Sequence, residues 1–180
     1  MQRRQVVGAL TTATVLGAGA TGLAGCSEAG EGVTRFADIT QAIAAMEAVR
    51  VDGRTRSGWP LAQVLNHVAQ GVEYSIGAGF PQLKPALFRH TVGAIAFGVF
   101  DARGAMSHSL TEPVPGAPAL DVPATLAEAS QRCIQAFRAL QAFTGQPHPH
   151  FAYGSLSLAQ NQRAHLMHLA NHWTLVVPRA

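Results

Sequence analysis

Apolar residues recur at helical spacing through most of the chain, and the stripes are separated by short polar or proline-rich breaks. Ile39, Ala42, Ile43 and Met46 share one face, and Asp38 can cap them, so a first helix is expected to run to about residue 49. A loop over 52–59 is closed by Gly58. Pro60, preceded by Ser57 and Trp59, suits the first turn of a second helix over 60–77, with Leu61, Val64, Leu65, Val68, Val72 and Ile76 as its stripe. Gly77, Gly79 and Pro81 end it. A third, more uniformly apolar helix is expected over 85–100, where residues 92–99 alone would also permit a strand. The segment 106–123 gathers Pro113, Pro115, Gly116 and Pro118 and reads as a long ordered loop. Pro123 opens a fourth helix to about residue 143, buried through Leu126, Ala129, Ile134, Phe137 and Leu140. After a second loop over 145–154, a fifth helix covers 157–177. No strand pattern of useful length competes with these. The expected fold is all-α: an up-and-down bundle of four main helices with an additional short helix or long crossover.

The N-terminus follows different rules. Arg3 and Arg4 form a basic start, residues 6–25 carry no charge, and the stretch ends in Leu23-Ala24-Gly25-Cys26. This pattern resembles a bacterial lipoprotein signal, in which the cysteine accepts a lipid and becomes the first mature residue. A transmembrane anchor is the competing reading, but Gly and Thr dilute the apolar stretch heavily. The Arg pair, flanked by Gln2 and Gln5, also resembles a twin-arginine signal. The expected organisation is a signal over 1–26 with Cys26 as the lipidated residue, a tether over 27–34 and one helical domain over 35–180. That predicts an exported protein on the periplasmic or cell-surface side, held to a membrane by its lipid.

Removing the signal changes the charge picture. Thirteen basic residues face ten acidic ones in the full chain, and without Arg3 and Arg4 the balance is eleven to ten. No basic stripe remains, which argues against nucleic acid as a partner. With Cys26 lipidated, Cys133 stands alone in a helical stretch, so a core rather than a disulfide must hold the domain.

The chemistry concentrates at the C-terminal end. At about 100° per residue, His165, His168 and His172 fall within about 60° of arc on one face, which they share with Asn161 and Leu169. Three groups that need protons, hydrogen bonds or a metal thus occupy a face otherwise fit for a core. His168 and His172, four apart, can present two imidazoles to one divalent ion from successive turns. Core histidines hydrogen-bonded to their neighbours are the alternative. A pair needs a third ligand, for which His67 on the second helix and His165 compete. Three histidines from one short segment would crowd an ion, which favours His165 as a pocket residue. His67, like nearby Tyr74, lies well off the main apolar stripe, in a position that suits either a cleft or water. His90, His108, His148 and His150 come from loops or the third helix, and His148 and His150 flank Pro149 where a pocket mouth would lie. Imidazole ligands without cysteine suit zinc, nickel or iron. An open coordination position would make such an ion a Lewis acid or an activator of a bound nucleophile.

The segments Trp59…Val64-Leu65-Asn66-His67-Val68-Ala69-Gln70…Glu73, Pro115-Gly116-Ala117-Pro118 and His148-Pro149-His150-Phe151…Gly154…His165…His168…His172 resemble the DinB-like superfamily. It looks most like a bacterial branch known only as a domain of unknown function, and the resemblance covers nearly all of the chain after the tether. The resemblance implies a bundle of four main helices that binds a divalent metal through three histidines, here His67, His168 and His172. The chain departs from that branch at Asn171-His172, where a double histidine is frequent, at Ala170, where an acidic residue is common, and at Trp173-Thr174-Leu175. Some relatives are thiol-dependent transferases or isomerases, though a cytoplasmic thiol would be scarce for an exported protein.

Three functions follow as expectations. One is a metal-dependent transferase or hydrolase on a small substrate, with Glu73 or His165 as general base and Tyr74, His108, His148, His150 and His165 lining the pocket. A second is a non-catalytic metal- or ligand-binding lipoprotein module. The third is a metal-free bundle with structural histidines. The sequence is compatible with a homodimer in each case.

Overall fold

The computed structural model describes residues 34–120 and 125–177. The signal segment, Cys26, nearly all of the tether and Pro123 lie outside the described residues. Within them the chain is mostly helical: α1 (Ile39–Val49), α2 (Leu61–Ile76), α3 (Ala86–His90), α4 (Val92–Arg103), α5 (Leu126–Ala142) and α6 (Leu158–Trp173). The strands β1 (Arg54–Thr55) and β2 (Val176–Val177) form a small antiparallel pair. None of the described helices is long and apolar enough to cross a membrane.

Local chemistry sets the helix starts. The Asp38 side chain accepts from the Gln41 N–H, as expected for α1. Thr125 with Glu128 and Ser157 with Gln160 form reciprocal capping boxes that fix the first turns of α5 and α6. Because Ser157 fixes where α6 begins, it also fixes which way His165, His168 and His172 point.

Helices α1, α2, α5 and α6 share one core. Met46, Val49, Leu65, Val68, Val72, Ile134, Phe137, Leu140, Leu169 and Trp173 are all sealed within it. Cys133 lies in this core, and burial pushes its thiol well above the ordinary range. Helix α2 is the central element, buried on most of its circumference, including the polar residues Asn66, His67, Gln70 and Ser75. A second, smaller cluster joins Phe97 of α4 to Leu156, Ala164 and Met167, with Phe100, Met106 and Tyr153 packed against it.

Two elements differ from the sequence reading. The third helix is divided at Thr91 into α3 and α4, while residues 92–99 are helical as expected and not the strand that the stretch alone would also permit. Gly93 explains the local geometry: a Cβ there would collide with the Ala152 carbonyl, so α4 lies directly against the 150–154 turn. The final helix also stops earlier, at Trp173. Leu175 then accepts from Arg56 N–H at 2.9 Å, and Val176–Val177 pair with Arg54–Thr55. At the helix end the Thr174 and Leu175 N–H groups donate to the His172 carbonyl, and the strand pair ties the 52–59 loop to the end of α6.

Candidate metal centre

His67 projects from α2, and His168 and His172 from α6. The His168 Nε2 lies 3.1 Å from the Nε2 of His67 and 3.1 Å from that of His172. His67 and His172 are buried and His168 is half-buried. A ligand atom from each lies within 4.8 Å of the other two, a grouping that could hold a metal ion.

Proton counting tests whether these residues fit an ion. A neutral imidazole nitrogen carries either one proton or one lone pair. His168 Nε2 therefore cannot make a full hydrogen bond to both neighbours. A tetrahedral ion with nitrogen ligands at about 2.0–2.1 Å separates those nitrogens by about 3.3 Å, close to the spacing found. Electrostatics agree with this. Burial, with repulsion from His108, holds His67 down to about 4. Burial, with repulsion from His67 and His108, holds His172 down to about 3. His168 is lowered well below its ordinary value, chiefly by burial and then by its histidine neighbours. All three are neutral near pH 7, the form that binds metal. The donor set fits a divalent ion.

The surroundings fix the ligands' positions. The Trp59 ring meets His67 edge-on at 5.3 Å, held there by the loop tied to the end of α6. His108, from the long proline-rich loop, lies with its ring centroid 4.8 Å from that of His168 and 5.4 Å from that of His172. Its Nδ1–H donates to the Ser109 carbonyl at 2.7 Å, which leaves Nε2 as an unprotonated acceptor. That Nε2 is buried with no hydrogen-bond partner among the described residues.

A cavity of about 230 Å³ opens beside the cluster. His67, His168, His108, His150 and His165 border it, together with an apolar wall that includes Met106, Val114 and Tyr153. The His165 Nε2 lies 3.0 Å from Ser75 Oγ. Ser75 has one proton, directed to the Val72 carbonyl or Asn161 Oδ1, so His165 must be the donor in that contact. Burial lowers His165 to about 4.

The expected pocket is thus assembled in part. His108, His150 and His165 border the cavity, whereas Glu73, Tyr74 and His148 do not. Glu73 accepts two hydrogen bonds from Arg132 of α5, at 2.6 and 2.9 Å, which engages its carboxylate with α5 rather than with the cavity. The same guanidinium donates to Asn66 Oδ1 at 3.0 Å. Tyr74 turns toward Phe80, with ring centroids 5.9 Å apart. His148 is exposed beside Gly79 and is held by its own backbone N–H, which donates to the Ser75 carbonyl at 2.8 Å. Sequence reasoning missed Lys84, Glu112 and Tyr153 in the cavity. Glu112 belongs to the proline-rich loop and Tyr153 lies close to His150 in sequence, whereas Lys84 carried no signal.

The model of a protein family of unknown function, DUF1569, matches residues 33–179. The chain belongs to that family. No curated protein and no solved structure matches it. In this DUF1569 chain the match takes in all three clustered histidines and every residue that borders the cavity.

Proposed function

We propose that this chain is a divalent-metal-dependent enzyme of transferase or hydrolase class that acts on a small molecule in the cavity beside the histidine cluster. The observation that carries the reading is the convergence of three neutral Nε2 atoms, from two helices, with His67 and His168 on the border of an accessible cavity. A metal module without a substrate would need no such opening, which favours catalysis over simple storage. We further propose that α1, α2, α5 and α6 constitute a four-helix bundle of DinB-like type, with α3 and α4 as the additional crossover element. Their shared core supports this.

An ion held by His67, His168 and His172 supplies Lewis acidity at the cavity wall. The protein's own groups do the rest. His108, which borders the cavity beside His168, is the proton acceptor we assign, because its Nδ1–H is committed to Ser109 and a lone pair is left on Nε2. Trp59 shields one side of His67 and the 106–118 loop shields the cavity from solvent. Gln70 ties that loop to α2 through the Pro118 carbonyl at 3.4 Å.

Metal analysis of untagged protein tests the reading. About one equivalent of zinc, nickel or iron is expected, while less than about 0.2 equivalents with no rise on metal addition would contradict it. We also propose export and lipid anchoring, supported by Arg3, Arg4 and the Leu23-Ala24-Gly25-Cys26 sequence. Cys26→Ala should abolish metabolic lipid labelling; undiminished labelling would exclude the anchor.

A further inference from the structure

His150 borders the same cavity as His67 and His168, and its hydrogen bonds determine its tautomer. The turn around it is closed by two backbone bonds, His150 N–H to Gly154 O at 2.8 Å and Gly154 N–H to His150 O at 3.1 Å. Gly154 takes φ +77° to allow this. Inside the turn, His150 Nδ1 accepts from the backbone N–H groups of Ala152 and Tyr153, both at 3.2 Å. A nitrogen that accepts two N–H bonds holds a lone pair, so the proton of the neutral ring must be on Nε2.

The ring cannot readily turn to exchange its nitrogens. It stacks on Tyr153 with centroids 4.3 Å apart and planes 7° from parallel, and the Phe80 and Phe151 rings flank it at 5.2 and 4.5 Å. Burial also opposes its protonation. The turn itself is seated on Gly93 of α4, where no side chain would fit. Neither ring nitrogen of His150 is a sealed orphan, and only Nδ1 has a hydrogen-bond partner among the described residues. Nε2–H is therefore an uncommitted donor on a side chain that borders the cavity.

The rest of the wall defines what such a donor would meet. Met106, Val114, Phe151, Tyr153 and Ala164 are apolar or aromatic. Lys84 and Glu112 both border the cavity, so their charges offset one another. Lys84 is exposed, with its backbone N–H bonded to Phe151 O at 2.9 Å. An anionic ligand would therefore need a fixed dipole inside the cavity, beside the charge that an ion held by the three histidines would supply, because Lys84 and Glu112 leave no net charge on the wall.

We infer that His150 is a substrate-recognition residue whose Nε2–H binds a carboxylate oxygen of a small ligand with a largely apolar body. This rests on the reading that the cavity is the substrate side of the metal centre. It assigns His150 a role separate from metal binding, because its lone-pair nitrogen is consumed by its own turn.

Substitutions can separate the ring's two roles. Asparagine can retain the acceptor toward the 152–153 backbone and lose the cavity donor, whereas glutamine can retain an N–H at the outer position. The test combines ¹⁵N-histidine NMR of the full chain, with and without zinc, and calorimetric titration of the zinc-loaded protein with benzoate. His150 is expected in the Nε2–H form throughout pH 6–8, identified by the signal lost in His150→Asn. Benzoate should bind the zinc-loaded protein, about tenfold more weakly in His150→Asn at unchanged zinc content, and within about threefold of the parent in His150→Gln. An Nδ1–H or doubly protonated ring would overturn the inference. So would failure of benzoate to bind the zinc-loaded parent, or equal benzoate affinity in parent and His150→Asn. If the protein takes up no zinc, the metal reading fails, and the NMR of the zinc-free chain still decides the His150 tautomer.

Discussion

Helix α6 has two faces that are built by opposite rules. Leu166, Leu169, Ala170 and Trp173 enter a dry core shared with α1, α2 and α5. His165, His168 and His172 enter a polar region whose other components arrive from α2, the 106–118 loop and the 150–154 turn. The core face is held by burial of apolar area, which is non-directional and tolerates small shifts. The histidine face depends on individual protons and lone pairs, where a displacement of an ångström removes the interaction. One helix therefore contributes to both the apolar core and the histidine cluster, and the two should respond separately to perturbation.

A core deletion should give the largest effect on stability and the least on the site. Leu65 is fully buried on α2, two residues before His67. Leu65→Ala should lower unfolding free energy by about 2–5 kcal/mol, measured by urea denaturation, while the folded variant still binds metal at the parental stoichiometry. Loss of metal binding from a folded Leu65→Ala protein would show that the two faces are not separable.

Acid should act on the other face. The folded metal-free protein holds His67 and His165 at about 4 and His150 and His172 at about 3, against 6.5 for each in the unfolded chain. Below pH 6.5 the unfolded state takes up protons that the folded state refuses, so it gains stability relative to the fold. Metal-free protein should have a level Tm from pH 8 to about 6.5 and a Tm that falls steadily toward pH 4. Leu65→Ala should shift that curve down without changing its shape. A Tm independent of pH between 6.5 and 4 would contradict buried neutral histidines.

The same contrast explains what the sequence disclosed. The stripes of α1, α2, α5 and α6 were legible because each buries one apolar face, and period 3.6 records that directly. The pairing of His168 with His172 was legible for the same reason, since both belong to one helix. His67 was not legible from its stripe, because α2 is buried on most of its circumference and its second face is polar. The need for a third ligand made it a candidate, and the family likeness chose it. His108 and His150 reach the cavity through loops, where no periodicity records direction. Glu73 looked suitable by composition and was claimed by Arg132, fifty-nine positions away in sequence. The close approach of α4 to Ala152 at Gly93 is a tertiary fact that the apolar run of residues 92–99 could not carry.

The most direct test of the metal centre is titration of metal-free, untagged protein with cobalt(II), followed by visible absorption. The account predicts about one equivalent bound with the intense absorption of a tetrahedral nitrogen-ligated site, and loss of that absorption in folded His168→Ala. A spectrum no stronger than that of aqueous cobalt, or one unchanged by His168→Ala, would contradict the three-histidine centre.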